Sequence, residues 1–159
     1  MTEDDVIGFA RGLDGVTVET TSAESGAPEA AWGDSFVYYD VPGAEPEPPE
    51  RRWPFATLVV HDYAGFDEAS RLDRDGVFRV NVNVGKRRFE VLVGYPPSRH
   101  VQRRGETDYA TLDRILPHPE YGQRGWVCVL NPGERTADLV RSLLREARER
   151  TASRHTPGH

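Results

Sequence analysis

The sequence predicts an α+β fold, a single antiparallel sheet with its first and last helices packed on one face. Three observations carry that expectation. An apolar stripe of helical period opens the chain and a longer one closes it. Between them lie strand-length runs that are β-branched and aromatic or that alternate apolar with polar. The 159 residues, 37% hydrophobic and 29% charged, suffice for one domain of ordinary size with a real core.

Thr2 is placed to cap a first helix running through residue 13, with Asp5 in the capping-box position and Val6, Phe9, Ala10 and Leu13 as its buried stripe. Asp14-Gly15 ends it, and 16–20 (Val-Thr-Val-Glu-Thr) reads as a strand. After a polar connection over 21–31, residues 35–40 (Ser-Phe-Val-Tyr-Tyr-Asp) read as a second strand. Five prolines and three glutamates then mark an exposed acidic loop at about 41–54. Residues 55–62 form a strand-length apolar run, and 66–72 one or two helical turns capped by Asp67.

Residues 77–84 carry the clearest strand pattern. Phe78, Val80, Val82 and Val84 share one face, and Arg79, Asn81 and Asn83 the other. Over 86–93 periodicity allows either a hairpin strand or a helix closed by Gly94. A short helix is expected from Thr107 or Asp108 to Leu116, a buried strand over 126–130 stopped by Asn131-Pro132-Gly133, and a final helix from about Thr136 to Ala152 with Leu139, Val140, Leu143, Leu144 and Ala147 inward. The domain is thus expected over 1–152, with a disordered tail over 153–159.

Several stretches, spread over nearly the whole chain, resemble an uncharacterised family of small actinobacterial proteins, a domain of unknown function. They are 31–36 (Ala-Trp-Gly-Asp-Ser-Phe), 54–57 (Pro-Phe-Ala-Thr), 65–67 (Gly-Phe-Asp), 70–74 with 76–79, 116–119 (Leu-Pro-His-Pro), and Gly125-Trp126 through 130–132 (Leu-Asn-Pro). More distantly, the order of helix, strands, helices, Trp-led strand and final amphipathic helix is similar to the YjbR-like family. That likeness implies a double-split β-α-β arrangement with helices on one side of the sheet, and makes 86–93 a helix. The acidic Pro loop and residues 96–105 depart from it.

Composition narrows the function. Residues 1–50 hold 12 acidic side chains and one basic, while 51–104 hold 11 basic and six acidic. The net charge of −6 and pI near 5.4 argue against a dedicated nucleic-acid binder, because such affinity comes from neutralising phosphates. No apolar run has the length of a membrane span, and the acidic start is unlike a secretion signal, so a cytoplasmic monomer or small homo-oligomer with no membrane partner is expected. The single Cys128 excludes an internal disulfide framework and sits mid-strand as a buried thiol. No glycine-rich phosphate loop, nucleophile elbow or zinc spacing is present, so neither cofactor nor metal is expected.

The stripe of Arg79, Asn81 and Asn83 is the most informative polar feature. An open sheet face could present it to a ligand, with Arg79 gripping a carboxylate or phosphate in bidentate fashion and His61, Tyr38 and Trp126 around it. The leading expectation is therefore binding of a small anionic or amide-bearing molecule there. Whether the protein is an enzyme is left open; if it is, His61 or His118 is the acid–base group and Arg79 the substrate anchor. Arg71 or Arg74 could add a second anion contact. A third reading makes Arg99, His100, Arg103 and Arg104 a nucleic-acid or protein contact.

Overall fold

The computed structural model describes residues 1–48 and 51–154. Helix α1 (Glu3–Arg11) starts as the sequence dictates: the Thr2 hydroxyl accepts from Asp5 N–H at 3.1 Å while the Asp5 carboxylate accepts from Thr2 N–H at 2.8 Å. There follow strands β1 (Val16–Thr20), β2 (Ser35–Tyr39), β3 (Ala56–Val59) and β4 (Arg79–Asn83), helices α2 (Gly85–Val93) and α3 (His100–Arg103), strands β5 (Leu116–Pro117) and β6 (Trp126–Leu130), and helix α4 (Ala137–Arg154). The six strands form one sheet in the order β1-β2-β3-β4-β6-β5, with every pairing antiparallel.

Alternation along each strand builds the main core. Val18, Val37, Ala56, Leu58, Val80, Val82, Val127 and Val129 pack against Val6 and Ala10 of α1 and against Val140, Leu143, Leu144 and Ala147 of α4. The first and last helices thus lie on one face, as expected. Phe89 of α2 joins the same cluster, so the segment that periodicity left ambiguous is a helix, ended by Gly94 at φ 97°.

The opposite face, expected to be open, is covered over part of its area. A second apolar cluster of Val59, Leu72, Leu116, Cys128 and Leu130, with Tyr63 and Val77 against it, lies there. Its cover comes from two segments expected to be helical, and neither is. Residues 66–72 form turns, with Tyr63 and Asp67 pairing through their backbones. Residues 108–115 contain no helix either. Asp113 N–H donates to Leu130 C=O at 2.7 Å, and its carboxylate accepts from the N–H groups of Gly133, Arg135 and Thr136, capping α4 from 20 residues away. Those long-range bonds outweigh a local helix that would have had to end at Pro117.

The final helix reaches Arg154, so Ser153 and Arg154 belong to it and not to a tail; residues 155–159 lie outside the described residues. Residues 41–48 of the acidic loop are exposed, and Pro49 and Glu50 are outside the described residues. The loop's return is pinned by Arg52, which bonds Glu19 and Asp40 at 2.7 Å each and lies 3.9 Å over the Tyr38 ring.

Candidate functional site

Register fixes what meets on the partly covered face. Phe36 pairs with Thr57, Thr57 with Asn81, and Asn81 with Cys128, so these side chains form one row across the sheet. One step along β4 in either direction stand Arg79 and Asn83, the latter opposite Trp126.

Arg79 is fully buried. Its Nη1 donates to Asp67 Oδ1 at 3.1 Å and to Ser70 Oγ at 2.8 Å, its Nη2 to Asp67 Oδ2 at 2.6 Å, and its Nε to Asn81 Oδ1 at 2.7 Å. The carboxylate that Arg79 holds in bidentate fashion is therefore Asp67 of the chain itself. Burial opposes its charge, but the hydrogen bonds and charge of Asp67 hold its pKa above the ordinary value. Asp67, expected as a helix cap, is the counter-ion. Ser70 also serves the guanidinium, while Arg74 donates to the carbonyls of Ser70, Arg71 and Ala110.

His118 lies against this pair, 2% exposed, in the turn after β5. Its Nδ1 accepts from the N–H groups of Glu120 and Tyr121 at 3.0 Å each; its Nε2 is 3.3 Å from Arg79 Nη2 and 4.0 Å from Asp67 Oδ2. Both ring nitrogens therefore face donors, the backbone N–H groups at Nδ1 and the guanidinium at Nε2, an arrangement that disfavours a second ring hydrogen. Burial, then the positive charge of Arg79, hold its pKa well below the usual range, so the ring is neutral. Cys128, close by, has its thiol pushed up to about 12 by burial and is inert.

Beyond this buried network the face opens into a cavity of about 720 Å³. Thr57, Asn81, Asn83, Arg79, Asp67 and His118 contribute its polar lining. Phe36, Trp53, Tyr63, Phe66, Tyr121 and Trp126 wall it, and Arg124 and Arg154 reach its edge. Tyr121 bridges the wall: its ring lies 5.9 Å from Phe66, 4.9 Å from His118 and 6.4 Å from Trp126. Trp53, on the far side, is 79% exposed, a large apolar side chain left in water at the rim of a cavity. No carboxylate pairs with Arg124 or Arg154 among the described residues.

Of the side chains singled out in the sequence, the cavity brings together Arg79, Asn81, Asn83, Trp126 and His118. It leaves out His61 and Tyr38. His61 stands at the end of the β3 run with Nε2 3.0 Å from the Trp32 carbonyl and 3.9 Å from Asp34 Oδ1. Asp34 is itself buried, bonded by Val60 N–H and the Tyr63 hydroxyl, and burial raises its pKa. Tyr38 points from the same sheet face as Phe36 but lies under Arg52. In the basic stretch Arg99 is exposed, Arg103 pairs with Glu106, Arg104 with Glu120 and the Pro119 carbonyl, and His100 is buried between Tyr95 Oη and the same carbonyl. Among the described residues no three His, Cys, Asp or Glu side chains gather as a metal site, and no helix is long and apolar enough to cross a membrane.

Most of the aromatic wall carries no sequence signal, since Phe36, Tyr63, Phe66 and Tyr121 are scattered over 86 positions and meet through sheet register and turns. Trp53 was the exception available to inspection: a tryptophan in an acidic, proline-rich exposed loop has no core to fill. Compared with known proteins, the chain has no match among curated proteins or solved structures. A family model does match it, over residues 1–158, and the chain belongs to that family, a family of unknown function designated DUF6194.

Proposed function

We propose that the protein binds a small planar molecule, anionic or amide-bearing, in the aromatic-walled cavity over β3, β4 and β6. The observation that carries this reading is the composition of that one cavity: six aromatic side chains around a hydrogen-bonding floor, with two arginines at the edge. Apolar walls with a few convergent polar groups are the usual make-up of a small-molecule site. Aromatic faces gain from stacking on a flat ring beyond the area they bury. Arg79 serves this site from beneath, as the clamp that fixes Asn81 and Asp67, and not as a direct anion contact.

An enzymatic use of the same cavity falls to His118, whose ring is among the lining residues, and not to His61. Its ring is neutral, so in such a use it would act as a base and not as a proton donor.

Native mass spectrometry of freshly purified protein, paired with an NMR titration of the 15N-labelled chain, tests the binding reading. The expected result is a co-purifying adduct, or saturable shifts of the Asn81 and Asn83 side-chain N–H signals with planar aromatic acids or amides, both abolished by Trp126→Ala. Absence of any adduct, with no shift from either ligand class, would overturn it.

A further inference from the structure

The floor of the cavity is a set of hydrogen-bond donors, and the way it is built makes it so. Asn81, buried at the base of the cavity, has its Oδ1 occupied by Arg79 Nε at 2.7 Å, so its donors are at Nδ2, one hydrogen going to Thr57 Oγ1 at 2.9 Å. Asn83 is treated alike: its Oδ1 accepts from Arg150 Nη2 at 2.9 Å, and the same nitrogen holds its main-chain carbonyl at 2.8 Å. Each arginine thus fixes an amide that is otherwise free to flip, with oxygen toward the cation and N–H groups away from it. Thr57, already an acceptor for Asn81, keeps its O–H to donate. His118 adds no donor to the floor, because its Nε2 lies 3.3 Å from Arg79 Nη2 within the buried network. Asp67, the carboxylate that reaches the lining, has both oxygens on Arg79 and its charge answered.

Resting on the reading of this cavity as a ligand site, we propose that its ligand is a planar aromatic carboxylate: the ring lies between the aromatic walls and the carboxylate oxygens face Asn81, Asn83 and Thr57. A carboxylate offers only acceptors and so matches a floor of donors. A primary amide brings an NH2 group against N–H groups, and an ammonium brings nothing but donors. Arg124 and Arg154 at the edge favour the same sign of charge. The floor therefore decides between the anionic and the amide-bearing ligand in favour of the anion.

The test is an NMR titration of the 15N-labelled chain with four matched probes: indole-3-carboxylate, indole-3-carboxamide, 3-(aminomethyl)indole and indole. The carboxylate is expected to bind about tenfold or more tightly than the carboxamide, a charge-assisted bond being the difference, and to move the Asn81 and Asn83 side-chain N–H signals downfield. The amine is expected to bind more weakly than indole itself. Asn81→Asp keeps an oxygen for Arg79 and places a second one at the floor; it should lower carboxylate affinity about tenfold and leave indole unchanged. Should that variant not fold, Thr57→Val at the half-buried neighbouring position should cost the carboxylate, and not indole, a severalfold loss. Equal or tighter binding of carboxamide or amine, with indole still bound, overturns the donor floor and leaves the cavity standing. No binding of any of the four overturns both.

Discussion

A guanidinium taken wholly out of water needs its charge and its hydrogens answered together, and Arg79 has Asp67, Ser70 and Asn81 placed to do so. Such a pair contributes little net stability, because desolvation offsets most of its attraction, but it fixes the atoms around it. The consequence at His118 is measurable. In an unfolded chain its ring titrates near 6.5, and in the fold the pKa lies well below that. Below about pH 6.5 the unfolded chain takes up a proton that the folded chain refuses, so stability falls as pH drops, with a limiting slope of about 1.4 kcal/mol per pH unit from this one group. Asp34 works in the opposite sense: burial raises its pKa, so its contribution is fully present below its ordinary 3.8 and is lost as pH rises through the raised value. Urea denaturation between pH 7 and pH 5 should show a shallower loss in His118→Gln than in wild type. Identical slopes would mean that His118 titrates like an exposed histidine.

The turn between β5 and β6 brings His118, Tyr121 and Arg124 to the cavity within seven residues, and its geometry depends on Gly122. A Cβ there would stand 2.6 Å from ring carbons of His100, a fully buried imidazole held by Tyr95 Oη at 2.9 Å and Pro119 C=O at 3.1 Å. Gly122→Ala should therefore cost about 1–3 kcal/mol by overpacking, and weaken indole-3-carboxylate binding as the turn shifts. Gly105→Ala, with open space around its Cβ, should do neither. Urea midpoints and the NMR titration check both; equal midpoints for the two variants would show that the turn can relax around a methyl group. Elements of this kind mark the limit of what local sequence expresses. The β4 stripe was legible because a period of two over Phe78–Val84 needs no partner to be read. The capping box on α1 and the apolar stripe of α4 were legible for the same reason. Residues 66–72 and 108–116 misled, because Asp67 and Asp113 act at long range, on Arg79 and on the start of α4, where local rules saw a cap and a helical turn. The site was legible to the same extent: Asn81, Asn83, Trp126 and His118 could be named, but whether Arg79 faced water or Asp67 could not, since that depends on a segment folding over the sheet.

On the scale of the whole molecule, the sheet is clad unequally. One face carries the large core under α1 and α4; the other carries a small apolar cluster under the 63–76 and 107–121 segments, then the cavity. The central strands are buried from both sides, with Asn81, Cys128 and Leu130 as hidden as Val80 and Val129. The cover over 63–76 has mostly exposed side chains and is tied down through Leu72, the Asp67–Arg79 pair and the Leu72 N–H on Asp62 at 2.8 Å. Few buried apolar groups and many exposed backbone bonds define the part of a fold that opens locally. Native-state hydrogen exchange should then separate two levels: the amides of β4 and β6 exchanging through global unfolding, and those of 63–76 through an opening of lower free energy that is insensitive to denaturant. Bound indole-3-carboxylate should raise protection at Tyr63, Phe66 and Tyr121 above the general increase expected from ligand binding to the folded state. If instead 63–76 exchange at the level of β4, the cover folds and unfolds with the sheet, and the cavity is a rigid recess that its ligand enters only from the Trp53 side.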